Sequence, residues 1–373
     1  MRVCHATAAL LTILALPLVA QNTPLRTLTK PSAEFPQPFV SISGVQELKD
    51  GRVIVGEVHL RDGTLQVVNF ATGAAASVSR KGAGPGEFDG RPSRLLRFAG
   101  DTTAMYDGGN ARFLIIGPDA KPARTQTYKP SAWTFNLEWG DAIGRVYAGL
   151  DARTIGPNQL ADSAPIVRFS LATEKLDTLA MRRVSKTDMT TFSSGGMGGF
   201  RTEEVPFAVH DDWAAFPDGR LAVIRGSDYH IDFYQPNGTK TSGPPNRYVP
   251  VPVTEADKEA VRAVRRPKPG PDGKIPTPRI PFIIEPSVWY PTKAPFGENS
   301  TWAGPNGELW VAIALKAGDT APKFDVFDAK GVRRMTVALP VGARVIGFGA
   351  HSIYTIRKDA DDQQFLQRFD VPR

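Results

Sequence analysis

The feature that most constrains this chain is a series of short apolar segments separated by turns that contain glycine and aspartate. It is clearest in residues 80–121, where the segments Leu95–Phe98, 102–106 and Arg112–Ile116 follow a glycine-rich loop. Turn residues at that spacing predict a small antiparallel meander. One meander cannot bury both of its apolar faces, so a stable chain needs further copies packed against it.

Six copies of this pattern run along the sequence, and turns such as KDG (49–51), PDG (217–219) and PNG (305–307) punctuate them. The sixth copy is one strand short, and we expect residues 25–30 to supply the missing outer strand. We therefore predict an all-β fold, a six-bladed β-propeller whose ring is closed by an N-terminal strand, with one short helix in an insert. Closure would hide the two strand edges that an open ring exposes.

The glycine-rich loop and the turn after the second strand resemble the repeat of NHL-type propellers. The loop motif consists of Gly82, Gly84, Pro85, Gly86, Glu87 and Phe88, and the turn motif of Asp107, Asn110 and Arg112. Taken over nearly the whole chain, the sequence is similar to exported bacterial six-bladed propellers of the NHL-like/TolB-like group. Many members of that group have no assigned activity. The resemblance implies that the Asp-Asn-Arg set forms structural hydrogen bonds.

Residues 1–20 have the pattern of a secretory signal peptide, because Arg2 precedes an apolar run at 8–19 that is too short to span a bilayer. We expect cleavage and export to the periplasm or the extracellular space, with no transmembrane anchor in the mature chain. Residues 21–373 are predicted to form a single propeller domain. The one cysteine, Cys4, lies before the apolar run. A mature chain without cysteine excludes disulfides, thiolate metal sites and a cysteine nucleophile.

The charge balance is basic, with 45 Lys and Arg against 38 Asp and Glu and a formal net charge of +7. The basic residues are spread along the chain, and aromatic residues do not alternate with them as a nucleic-acid stacking platform would require. We expect no nucleic-acid partner, a weak attraction to anionic envelope surfaces and a monomer. The partner would be a small molecule, a glycan or a protein.

Two long inserts, at about 182–212 and 243–299, interrupt the repeats where a connection should be short. Both fall on the face that carries the links between blades, and such loops usually build the binding face of a repeat fold. The second insert predicts a helix that begins after Thr254 and ends before Pro267. Its basic end and a later aromatic pair give the ligand-binding candidates Arg262, Arg265, Arg266, Trp289 and Tyr290.

Acidic and amide residues occur where innermost strands should begin on the same face, in the pairs Asn136/Glu138, Asp211/Asp212 and Glu298/Asn299. Oxygen ligands that converge from different blades could hold Ca²⁺, which takes six to eight oxygens, as in lactonase-type propellers. The alternative is that they cap strand starts and turns. The candidate metal ligands are Glu138, Asp212, Glu298 and Asn299.

His210 is the best-placed histidine, because it precedes Asp211 and could act as a base with a carboxylate partner. No serine lies in a G-x-S-x-G elbow. The sequence favours an exported binding or interaction propeller with a ligand face built from the two inserts. The alternative is a metal-dependent hydrolase, lactonase or lyase that acts at the mouth of the channel.

Overall fold

The computed structural model describes residues 23–60, 62–128, 137–156, 159–194, 197–270, 272–275 and 281–372. Within them, six antiparallel sheets are arranged as the blades of a propeller ring, and the prediction of an all-β six-bladed fold is confirmed. The proposed signal peptide and Asn136 lie outside the described residues. In the described part of the chain, no helix has the length and apolar character needed to cross a membrane.

The strands are given from the channel outward. Blades 1 to 3 consist of Ile42–Glu47, Val53–Val58, Gly63–Asn69 and Ala74–Ser79; Leu95–Phe98, Thr102–Asp107, Arg112–Ile116 and Pro122–Thr127; and Leu137–Gly140, Arg145–Gly149, Ser163–Ser170 and Leu176–Arg183. Blades 4 to 6 consist of Asp212–Ala215, Leu221–Arg225, His230–Tyr234 and Lys240–Ser242; Phe296–Ala303, Leu309–Ile313, Lys323–Phe327 and Arg333–Ala338; and Arg344–Phe348, Ser352–Lys358 and Gln364–Asp370.

The tight turns between first and second strands use the same local chemistry in blades 1 and 4. Asp50 accepts a hydrogen bond from the backbone N–H of Arg52 at 3.0 Å and from its guanidinium at 2.7 Å. Asp218 and Arg220 repeat both bonds at 3.0 and 2.7 Å. The glycine between each pair has a positive φ, +84° at Gly51, which a residue with a side chain adopts only with strain. The Asp-Gly-Arg sequence therefore determines these turns locally.

The Asp-Asn-Arg set of blade 2 is structural, as predicted. Asp107 is fully buried and accepts hydrogen bonds from Asn110 at 2.8 Å and from Arg112 at 3.0 Å. The other guanidinium nitrogens of Arg112 donate to the carbonyls of Ala83, Gly84 and Glu87 at 2.9–3.1 Å. The set therefore holds the glycine-rich loop against the second and third strands.

The core lies between blades, where apolar clusters join the faces of adjacent sheets. Two fully buried tyrosines also form hydrogen bonds across blade boundaries. Tyr229 of blade 4 donates to Asp325 of blade 5 at 2.9 Å, and Tyr354 of blade 6 donates to Glu47 of blade 1 at 2.9 Å. A buried hydroxyl needs such a partner, so these bonds help to set how the blades pack.

The N-terminal segment closes the ring, but the strand assignment within it was wrong. Leu25–Thr27 pairs in parallel with Arg333–Ala338 and becomes a fifth strand of blade 5. The outer strand of blade 6 is Ala33–Glu34, which pairs antiparallel with Gln364–Asp370. The alternating pattern of residues 25–30 indicates a strand but does not select one sheet edge over its neighbour. The N-terminal segment pairs first with the edge of blade 5 and then with the edge of blade 6.

The predicted helix is confirmed as Glu255–Arg265, the one α-helix of the described residues. Thr254 accepts a hydrogen bond from the backbone of Asp257, and the Asp257 side chain accepts one from the backbone of Thr254, so the two form a capping box. Lys293 fixes the helix to blade 5, because its ammonium group donates to Asp257 at 2.7 Å and to the carbonyl of Leu315 at 2.9 Å.

Candidate functional site

Three irregular connections lie on one face of the ring. In a blade of four antiparallel strands, links from the second to the third strand and links between blades share a face. Residues 184–211 join blades 3 and 4 and contain the hairpin Thr187–Ser194/Met197–Glu204, and residues 243–295 join blades 4 and 5 and contain the helix. A third connection, 150–162 within blade 3, was not predicted.

A cleft of about 1020 Å³ lies between these connections. The helix lines one wall with Ala260, Val261 and Val264, and the hairpin contributes Phe200. None of the helix residues is buried, and Val264 and Phe200 are 81% and 57% exposed. The apolar stripe that should face a core in an ordinary amphipathic helix thus faces an open cleft, as expected of a binding surface.

The floor of the cleft holds a pair of carboxyl groups, Glu204 and Glu298, that share a hydrogen bond. Partial burial, together with the hydrogen bond and charge of Glu298, raises the pKa of Glu204 to about 7. Burial opposes ionisation of Glu298 too, but hydrogen bonds from Ser185 and Glu204 outweigh it and lower the pKa of Glu298. The pair therefore takes up a proton at a higher pH than a solvent-exposed glutamate does.

Two buried side-chain nitrogens near this pair, one of His210 and one of Arg182, have no hydrogen-bond partner among the described residues. His210 is 5% exposed; its Nδ1 lies 3.0 Å from the carbonyl of Ala208, while its Nε2 is buried and unpartnered. His210 lies close enough to influence the ionisation of both Glu204 and Glu298. Arg182 lines the cleft and donates through Nη2 to the carbonyl of Leu150 at 3.2 Å, yet its Nε is buried without a partner. Buried polar nitrogens without partners are uncommon, and here they are available to a ligand.

Asp212 is buried in a structural role. Its Oδ2 accepts hydrogen bonds from the backbone of Ser300 at 2.7 Å and from the hydroxyl of Thr301 at 2.8 Å, and Oδ1 accepts from Trp213 N at 2.9 Å. Burial raises the pKa of Asp212. Its carboxylate joins the innermost strands of blades 4 and 5 and presents no oxygen that is free of protein donors.

The other two candidate metal ligands, Glu138 and Asn299, line the central channel. Burial raises the pKa of Glu138 to about 7, with the charge of Arg94 opposing the shift. Asn299 lines the central channel with a φ of 53°. In the described part of the chain, no three or more His, Cys, Asp or Glu residues are grouped so that they could hold a metal ion. The calcium site that we hypothesised also draws on the amide oxygen of Asn299, a ligand type outside that grouping, and stays a prediction.

Of the ligand candidates in the second insert, only Arg265 lines the cleft, where it donates to the backbone carbonyl of Glu204. Arg262 pairs with Glu285 at 2.6 Å, and its guanidinium lies 5.4 Å from the ring centre of Trp289. That half-buried indole also donates to Glu285 at 3.3 Å.

The two remaining candidates also lie apart from the cleft lining. Arg266 pairs with Glu259 at 2.8 Å, and Tyr290 is half-buried in the second insert. The contacts of Arg262, Arg266 and Trp289 are thus made within the second insert. The apolar face of the helix, and not its basic end, forms the wall of the cleft.

The structure adds site residues that sequence reasoning did not select, chiefly Glu204, Arg182 and Ser185. Each lies at or beside an insert boundary, at the end of blade 3 or of the hairpin. No motif marks them, since they belong neither to the repeat nor to a helix. The sequence feature that could have identified them is their position at the insert boundaries, on the predicted binding face.

No protein-family model and no curated protein matches this chain. Among solved structures it is similar to a member of the DUF4221 family from Bacteroides vulgatus, with 8% identity, coverage of 91% of this chain and 94% of that one, and a TM-score of 0.43. It is similar to a protein inferred to be exported from Bacteroides fragilis, at 10% identity, 93% and 100% coverage and a TM-score of 0.46. It is also similar to the calcium-binding protein regucalcin from Agrobacterium tumefaciens, at 12% identity, 93% and 98% coverage and a TM-score of 0.39. Identities and TM-scores this low support no statement about site or function.

Proposed function

We propose that this protein binds a small organic molecule in the cleft between its two inserts. The observation that carries the proposal is a single cleft lined both by exposed apolar side chains, Phe200 and Val264, and by the interacting carboxyl groups of Glu204 and Glu298. Small-molecule sites are concave, mostly apolar and equipped with a few convergent polar groups. The cleft has that composition, and its volume of about 1020 Å³ is at the upper end for such sites.

The polar floor defines which head group the ligand should carry. The carboxylate of Glu298 is an acceptor, and acidic side chains outnumber arginines in the lining of the cleft. A cationic or hydroxyl donor is therefore favoured over an anion. We expect a ligand with an apolar body and an amine or hydroxyl head.

The test compares three ligands that share a body and differ in head group: phenylbutylamine, phenylbutanol and phenylbutyrate. Isothermal titration calorimetry on the purified protein should give affinities in the order amine, alcohol, carboxylate. A Glu298→Gln substitution should abolish the preference for the amine. Phe200→Ser should weaken binding of the amine about tenfold, the equivalent of about 1.4 kcal/mol of lost apolar contact.

The matched control is Ile143→Ser, which removes a comparably exposed apolar side chain. Ile143 is 61% exposed and lies in the turn between the first two strands of blade 3, on the opposite face from the inserts. It should bind the amine as the parent protein does. Equal affinities for all three ligands, or equal losses in the two serine variants, would contradict the cleft proposal.

A hydrolytic function is the second candidate, and the carboxyl pair favours it. Two carboxyl groups whose environments separate their pKa values can act as acid and base, with Glu204 giving a proton and Glu298 receiving one. His210 lies close enough to affect both. A screen of ester, lactone and glycoside substrates, run with Glu204→Gln as the inactive control, tests it, and equal turnover by both proteins would rule the pair out as the catalyst.

We further propose that the protein is exported as one propeller domain, residues 21–373, after removal of residues 1–20, and that it is related to the NHL-like/TolB-like group. The support is the apolar run at 8–19 behind Arg2 and the loop motif of blade 2. N-terminal sequencing of the protein from a fractionated bacterial host tests the export proposal. A cytoplasmic product that retains residue 1 would contradict it.

A further inference from the structure

A second cavity, of about 460 Å³, occupies the central channel of the ring. The innermost strands of all six blades contribute to its lining. It differs from the cleft in that its walls come from the ring itself and not from the inserts. The polar lining used below comprises Ser43, Arg94, Arg97, Glu138, Trp139 and Arg344.

The charge of the channel lining is positive. The lining contains three arginines, Arg94, Arg97 and Arg344, and one carboxyl group, that of Glu138. The net charge of the lining is therefore positive even when Glu138 is ionised. Among the described residues, none of the three arginines has a carboxylate within ion-pair distance. Arg94 donates to the backbone carbonyl of Glu138 at 3.1 Å and lies 5.7 Å from the ring centre of Trp139. These contacts orient the guanidinium without neutralising it.

Two further donors point to an acceptor ligand. The hydroxyl of Ser43 and the indole nitrogen of Trp139 are buried and have no hydrogen-bond partner among the described residues. Both residues line the channel. An indole N–H can only donate, and a hydroxyl can donate as well as accept. A cavity that presents cations and unpartnered donors together is complementary to an anion with several acceptor oxygens.

We infer that the central channel is a binding site for a small organic anion that carries a carboxylate or phosphate group. The arginines would hold the anionic group, Ser43 and Trp139 would donate to its oxygens, and the rings of Trp302 and Phe348, which also line the channel, would contact its apolar part. The inference does not depend on the proposed function, since the cleft is expected to prefer a cation or a hydroxyl. Arginine suits such groups because its planar N–H donors match two oxygens at once.

The experiment titrates the purified protein with benzoate, phenyl phosphate and neutral benzamide, followed by calorimetry and by tryptophan fluorescence. We expect saturable one-to-one binding of at least one anion and none of benzamide, and the two anions distinguish a carboxylate from a phosphate site. Arg97→Gln and Arg344→Gln should each weaken anion binding about tenfold. Trp139→Phe should weaken it while retaining an aromatic ring in the same place.

The control is Arg334→Gln, which removes the same charge from a side chain that is 64% exposed on the fourth strand of blade 5. It should bind anions as the parent protein does, and Phe200→Ser in the cleft should do the same. Arg344→Lys keeps the positive charge at this position and serves as the conservative variant. Thermal denaturation of every variant identifies losses of affinity that come from misfolding. The inference is overturned if neither anion binds, if benzamide binds as well, or if Arg334→Gln loses as much affinity as Arg344→Gln.

Discussion

Two polar clusters of this molecule look alike in composition and differ in how completely their hydrogen bonds are satisfied. In blade 2, Asp107 and Arg112 lie in a closed network in which every guanidinium nitrogen has a partner. On the cleft floor, the carboxyl pair of Glu204 and Glu298 stands beside His210, whose Nε2 has no partner among the described residues. The repeat satisfies its own polar groups, whereas the inserts leave donors and acceptors available for a ligand.

The largest effect is expected from Asp107→Ala. The substitution leaves Arg112, whose side chain is 14% exposed, without its carboxylate. Removing one partner of a buried ion pair costs roughly 3–5 kcal/mol. Urea denaturation should show a loss of that size, with phenylbutylamine binding retained below the transition. The control Asp50→Ala, in a turn ion pair with half of the aspartate exposed, should lose less than about 1 kcal/mol.

A smaller loss of stability is expected from Asp212→Ala. Asp212 was a candidate metal ligand by position, but its contacts are hydrogen bonds between blades 4 and 5. The change leaves the backbone N–H of Ser300 and the hydroxyl of Thr301 buried without their acceptor. The expected loss is roughly 2–3 kcal/mol, measured by urea denaturation. Unchanged stability, together with loss of ligand binding, would place Asp212 in the site after all.

Glu204→Gln should change the pH dependence of stability. The pKa of Glu204 is raised from 4.5 to about 7 in the folded protein, so the folded state binds more protons than the unfolded state between those values. Its contribution is therefore fully present below about pH 4.5 and is lost as the pH rises through 7. Glutamine imitates the protonated acid and should flatten the decline of Tm over that range.

The control for this prediction is Glu203→Gln, which removes a neighbouring carboxyl group that pairs with Arg201 at 3.0 Å. Its profile of Tm against pH should keep the decline. A parallel slope in parent and Glu204→Gln proteins would show that the pKa of Glu204 is not raised in the folded protein.

The smallest effect is expected from a metal chelator. In the described residues, no three or more His, Cys, Asp or Glu side chains are close enough together to hold a metal ion. Treatment with EDTA should leave Tm and the binding of phenylbutylamine unchanged. A drop in Tm that calcium reverses and magnesium does not would support the calcium hypothesis and would place the oxygen ligands of the channel mouth in the site.

Much of the fold was predictable because its determinants are local. The Asp-Gly-Arg turns, the capping box at Thr254 and the Asp-Asn-Arg set each act within a few residues. The position of the cleft was predictable, because two inserts on one face of a repeat fold lie around it. Its residues were only partly predictable: Arg265 and Glu298 line the cleft, whereas Arg262 and Trp289 pack against each other outside it.

The sequence by itself determined the blades, the tight turns and the helix, since short-range hydrogen bonds and apolar periodicity decide those. Only the tertiary structure decided that residues 25–27 pair with blade 5, that Asp212 joins two blades, and that Glu204 meets Glu298. These are contacts between residues far apart in the chain. Their partners are selected by how the blades and inserts pack, and no spacing along the sequence encodes that selection.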